Sequence, residues 1–146
     1  MKKHFKIYLL IILVLPLLLS GCFRQQKEQY VIIKDKKVIV EVADKEMEII
    51  RGLSNREKIS ESEGMLFIFP DSRIRDFWMR EMKFNLDIIW IENDQIVKID
   101  ENLPTEGKYP EKSYSSITPV DRVLELNAGW TEKNNLQVGD KIIYSL

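Results

Sequence analysis

From Tyr30 onward the apolar residues of this chain come in short runs broken by polar turns, and no long helical stripe links them. Short runs rich in valine and isoleucine fill strands and cannot cover one side of a helix. Val31 to Ile33, Val38 to Val42, Met65 to Phe69, Leu86 to Ile91, Ile96 to Ile99, Val123 to Leu126 and Lys141 to Tyr144 read as strands. Glu46 to Ile50 and Phe77 to Met79 read as two more. Lys34-Asp35-Lys36-Lys37 and Ala43-Asp44-Lys45 supply turns, and Glu92-Asn93-Asp94-Gln95 reads as a hairpin turn because Asn and Asp tolerate a left-handed backbone. A chain of this kind closes its core by curling or pairing sheets. The expected fold is therefore mainly β: a single-domain antiparallel sandwich or jelly-roll-like barrel with one or two short helices.

Two helical turns are expected between the strands. Ser54-Asn55-Arg56-Glu57 has the spacing of a capping box, entered through Gly52. The other begins after Thr131 and ends before Gly139. Pro104 to Pro119 holds three prolines and reads as a long surface connection.

The segment before the β region has the parts of an export signal. Lys2, Lys3 and Lys6 precede an almost purely apolar run of 13 residues, Ile7 to Leu19, and small Ser20 and Gly21 lead to Cys22. The run is shorter than the roughly 20 residues a transmembrane helix needs. Leu19-Ser20-Gly21-Cys22 resembles the bacterial lipoprotein signal, which implies a diacylglycerol thioether on Cys22 and cleavage after Gly21. The expected organisation is a signal peptide over 1–21, a tether over 22–29 and one β domain over 30–146. The expected location is the extracytoplasmic side of the cell membrane, held by acyl chains on Cys22.

Loss of residues 1–21 removes three lysines and no acid, taking the formal charge from −1 to −4. That leaves no basic footprint for nucleic acid. It also discards His4, the only histidine, and Cys22 is the only cysteine. Histidine-dependent triads and histidine or thiolate zinc sites are then excluded. Glu92-Asn93-Asp94 and Asp100-Glu101-Asn102 lack the spacing of a calcium loop, and no dinucleotide or P-loop motif occurs, so neither metal nor cofactor is expected.

GLSNRE at 52–57, EGMLFIF at 63–69, FWM at 77–79, LDIIWI at 86–91, VLELNAG at 123–129 and VGDKI at 138–142 follow one another in order. Together these blocks resemble the family called domain of unknown function 192, over roughly 49–142. The resemblance implies a compact, mainly β fold of sandwich or jelly-roll type, often exported, with no agreed activity. Glu81 and Asn85 stand where that family's pattern has Asn and Pro.

Within the blocks a few residues carry the chemistry. Phe77-Trp78-Met79 alternates across a strand, so it is either a central strand covered on both sides or a place where Trp78 floors a groove that stacks a sugar or peptide ring. Trp90 and Trp130 read as core. Gly52, Gly64, Gly129 and Gly139 read as turn residues with positive φ. Asp87 and Glu125 sit in apolar strands, where a charge must be paired, and Arg51 and Arg56 are among the available partners. Two roles are open to the carboxylates: structural pairing, or convergence on one cleft as general acid and base, with Asn127 orienting a substrate hydroxyl.

Three functions follow as expectations. The first is a non-catalytic binding or accessory module of the cell envelope that takes a glycan, a peptide or an envelope protein through Arg51, Arg56, Trp78 and Asn127. The second is a carboxylate-dependent hydrolase of an envelope polysaccharide using Asp87 and Glu125. The third is a structural lipoprotein that tethers a protein partner.

Overall fold

The structure is a computed structural model that describes residues 27–146. The signal segment, Cys22 and all but the end of the tether lie outside the described residues. In chain order the elements are β1 Tyr30–Ile33, β2 Lys36–Ala43, α1 Glu46–Arg51, β3 Glu63–Arg73, β4 Asp76–Phe77 and β5 Leu86–Glu92. They continue with β6 Gln95–Leu103, β7 Tyr114–Ser115, β8 Val120–Asn127, α2 Trp130–Lys133 and β9 Ile142–Ser145. No helix among the described residues is long and apolar enough to cross a membrane.

Seven strands form one sheet in the order β6-β5-β8-β3-β2-β1-β9. It curls until its edges touch: Gln95 bridges Lys141, and the Ile96 and Ile142 N–H groups donate to the Asp140 and Asp94 carbonyls at 3.0 and 2.8 Å. The mainly β, single-domain expectation holds, with a half-barrel as its form. One pairing departs from an all-antiparallel sheet, because β2 and β3 run parallel. A parallel neighbour needs a crossover, and residues 44–62 supply it.

Period-two alternation gives the curled sheet two apolar faces. Val31, Ile33, Leu66, Ile89, Leu124 and Leu126 belong to the cluster on its inside. Met65, Phe67, Ile88, Trp90 and Val123 belong to the cluster on its outside, which the crossover and the small β4–β7 sheet cover. The hairpin between β5 and β6 turns as expected, with Asn93 at φ 59° and Glu92 opposite Gln95.

The crossover is where the reading from sequence fails locally. Glu46 to Ile50 is helix, not strand. Glu46 and Glu48 favour the start of α1, Arg51 its end, and Gly52 at φ 49° terminates it. The Glu-Met-Glu-Ile-Ile alternation mimics a strand because α1 has no buried residue to impose a helical stripe. The capping box at Ser54 does not form either. Ser54 Oγ donates to the Arg80 carbonyl at 2.8 Å, and Lys45 stands at the N-cap of α1 instead, its backbone N–H and Nζ donating to the Glu48 carboxylate at 3.4 and 3.0 Å.

Gly64 is not a turn residue. It lies inside β3, opposite Leu126, where a β carbon would stand 2.6 Å from Leu126 Cδ2 and 2.7 Å from the Glu125 carbonyl oxygen. Gly64→Ala is therefore expected to destabilise the domain by about 1–3 kcal/mol through overpacking against backbone. Urea unfolding measures this, and an unchanged midpoint would mean that β8 gives way freely.

Candidate functional site

The Val123-Leu124-Glu125-Leu126 segment of β8 places Leu124 and Leu126 in the inner cluster, and Val123 and Glu125 on the outer face. Opposite Glu125 on the flanking strands stand Met65 and Ile88, both buried. The Glu125 side chain is thus set among apolar groups and is 5% exposed. None of the hydrogen bonds among the described residues involves its carboxyl.

That carboxyl lies at the base of a cleft with about 110 Å³ of free space. Ile49, Ile50 and Leu53 cover it from the crossover, and Phe67, Phe77 and Met82 line its sides. Arg51, Asp76 and Trp78 also reach it. Gly52 passes so closely that a β carbon there would lie 3.4 Å from the Phe67 ring and 4.0 Å from Glu125 Oε2. A side chain at Gly52 would narrow the cleft at its acid, on a backbone that already disfavours one.

Burial pushes the Glu125 carboxyl up to about 8, and the nearby Arg56 guanidinium opposes this only in part. Arg56 is committed elsewhere. Its Nη1 and Nη2 hold both Glu41 carboxylate oxygens at 2.7 and 2.8 Å. At neutral pH Glu125 is therefore a neutral acid. It can donate one hydrogen bond into the cleft as well as accept.

Trp78 stands at the cleft mouth, 45% exposed, with the Arg80 guanidinium 4.9 Å from its ring centre. Phe77 and Met79 turn inward as the alternation requires, and the Phe77 ring meets the Phe67 and Trp90 rings edge-on at 4.9 and 5.5 Å. The segment is nevertheless no central strand. β4 ends at Phe77, and the outer side of Trp78 faces solvent rather than a second layer.

Asp87 does not reach this cleft. It is opposite Leu126 in the register, one step from the residue opposite Glu125, and so projects from the other side of the sheet. Fully buried, it accepts from the backbone N–H groups of Asn102, Gly129 and Thr131 at 2.8, 3.2 and 3.0 Å, and from Thr131 Oγ1 at 2.8 Å. It fastens the start of α2 and the end of β6 to β5. The sheet stands between Asp87 and Glu125, so they form no acid–base pair. Asn127 is also apart from the cleft: its amide donates to the Ser60 carbonyl at 2.9 Å and pins the crossover. Trp90 is buried, its Nε1 donating to Asp100 at 2.7 Å, and Trp130 packs against the inner cluster.

Of the residues singled out from sequence, the structure gathers Arg51, Trp78 and Glu125 at one cleft, with Arg56 close behind. Asp76 and the α1 side chains were missed. A two-residue strand and an exposed helix leave no periodic signal. Among the described residues no three His, Cys, Asp or Glu side chains gather to hold a metal.

The sequence model of domain of unknown function 192, described as Uncharacterized ACR, matches residues 29–144. The chain belongs to this family. Two solved structures resemble this domain of unknown function 192 chain along nearly their whole length. One, described as a candidate transcription regulator from Sinorhizobium meliloti 1021, is 29% identical with a TM-score of 0.73, covering 80% of this chain and 92% of its own. The other, a protein of unknown function from Novosphingobium aromaticivorans DSM 12444, is 28% identical with a TM-score of 0.70, covering 80% and 83%. A search of curated proteins gives no match.

Glu81 has φ 54°, a left-handed conformation that a glutamate adopts less readily than an Asn. Asn85 ties the end of β6 to the start of β5: its Oδ1 accepts from the Thr105 N–H and its Nδ2 donates to Asn102 Oδ1, each at 3.2 Å.

Proposed function

We propose that this protein is a lipid-anchored module of the cell envelope whose Glu125 cleft binds a ligand. The observation that carries the binding reading is Glu125 itself. A buried acid without a partner costs stability, and this one sits where an incoming group could satisfy it. Perturbed acids at the base of apolar clefts are found at binding and catalytic sites more often than elsewhere. The anchoring half of the reading rests on the Leu19-Ser20-Gly21-Cys22 motif. A hydrolase built on Asp87 and Glu125 loses its geometry. The regulator description belongs to the Sinorhizobium protein, and a formal charge of −4 after Gly21 gives this chain no net attraction to DNA.

Two measurements on the full chain test the reading. Cys22→Ser is expected to move the protein from the membrane fraction to the soluble fraction, and retention there would refute lipid anchoring. Titrating the detergent-solubilised chain with a digest of purified envelope, which contains both glycan and peptide fragments, is expected to change tryptophan fluorescence through Trp78. The Gly52 and Phe67 amide resonances should shift in the same titration. Amides that stay in place throughout would remove the cleft as the binding site.

A further inference from the structure

The cleft walls and the acid restrict the ligand further, on the premise that the cleft is the binding site. The free space, about 110 Å³, is somewhat less than the roughly 150 Å³ apolar cavity known to hold a benzene ring. One branched aliphatic side chain suits it. Ile49, Leu53, Phe67, Phe77 and Met82 give such a side chain apolar contact on several sides. A sugar ring would bring several hydroxyl groups into a lining whose polar side chains besides Glu125 are Arg51, Asp76, Trp78 and Ser54, the last already donating to the Arg80 carbonyl, so most of its hydroxyls would face apolar walls. Trp78 and Ile50, both exposed at the mouth, extend the apolar surface to flanking residues of a longer chain. The one polar group at the base is an acid that donates when neutral, and the peptide group beside any side chain offers an acceptor.

We propose that the cleft takes one apolar residue of an extended peptide, with the Glu125 carboxyl donating a hydrogen bond to a peptide carbonyl of that ligand. The bound carbonyl would end the isolation of the acid, and the apolar side chain would fill the space beneath α1.

Proton linkage follows. The charged groups around Glu125 are Arg56 from the turn after α1, held by Glu41 of β2, with Arg51 at the end of α1 and Asp76 of β4 at the same cleft. Its register partners on β3 and β5, Met65 and Ile88, are apolar. Among these groups Arg51 is the one other donor lining the cleft, and it stays charged across the whole pH range, so the pH-dependent donor there is Glu125. Once ionised, Glu125 only accepts and repels a carbonyl oxygen. With its pKa at about 8, peptide affinity is full well below that pH and falls above it.

The test uses the full chain in detergent micelles and N-acetyl-alanyl-leucyl-alanine amide, which has no titratable group. The Gly52, Leu53 and Phe67 amides are expected to shift saturably, with affinity falling about thirtyfold between pH 6.5 and 9.5. Glu125→Gln, whose amide donates at every pH, should bind with no such fall. Affinity that rises with pH, or an equal fall in the Gln variant, would overturn the proposal. N,N′-diacetylchitobiose shifting these amides while the peptide does not would overturn the peptide assignment and leave the cleft as a binding site. If neither compound moves them, the proposal fails, and the envelope digest alone then decides whether the cleft binds anything.

Discussion

Asp87→Ala is expected to destabilise the domain strongly at neutral pH. The buried carboxylate accepts three backbone N–H groups and the Thr131 hydroxyl; Thr131 is buried with it, whereas Asn102 is exposed and Gly129 half-buried. Removing it leaves the Thr131 N–H buried without an acceptor and takes the partner from the half-buried Gly129 N–H, at about 1–3 kcal/mol each, while the exposed Asn102 N–H can turn to water. Roughly 2–6 kcal/mol in all is a large share of the stability of a small domain. Thr131 Oγ1 also lies 2.9 Å from Glu101 Oε1, so the hydroxyl alone has a second acceptor. Asp87→Asn should be milder, because it keeps one acceptor oxygen in place. Urea unfolding of both variants checks this. A shift below about 1 kcal/mol for Asp87→Ala would mean that water enters and replaces the carboxylate.

Glu125→Gln should do the reverse and stabilise the protein. Unfolded, Glu125 titrates near 4.5; folded, near 8. Below about pH 4.5 both states hold the proton, and the acid brings no penalty. Between the two values only the folded state keeps it, so stability falls as pH rises and levels off above about 8. By pH 7 the loss amounts to roughly 3 kcal/mol. The Gln variant does not titrate, so it should match the native protein at pH 4 and exceed it by about that amount at pH 7. Paired denaturation curves at the two pH values read this directly. Equal stability at both would show that water or a neighbouring group already satisfies the acid.

Much of this arrangement could be read from residue order alone. Valine and isoleucine runs located the long strands, and an acid between Leu124 and Leu126 marked Glu125 as unusual. Asp87 stood out for the same reason. What strand patterns cannot convey is which face an acid takes relative to one on another strand, because that depends on register. Here Ile88, not Asp87, stands opposite Glu125. The parallel pairing of β2 and β3 was hidden for a related reason: its crossover contains Glu46 to Ile50, whose alternation looks like a strand. Asp76 became interesting only once the chain around it was folded over Phe67 and Phe77.

β1 pairs with β2 on one side and with β9 on the other, so Tyr30 meets Ser145. A hairpin made early in synthesis therefore keeps an unfilled edge until the last strand has been made. Contacts so distant along the chain form slowly, and open edges invite pairing between molecules. The sheet therefore cannot close before β9 is available. The same timing makes short deletions after Asp140 disproportionately damaging, because they remove the strand that closes the molecule.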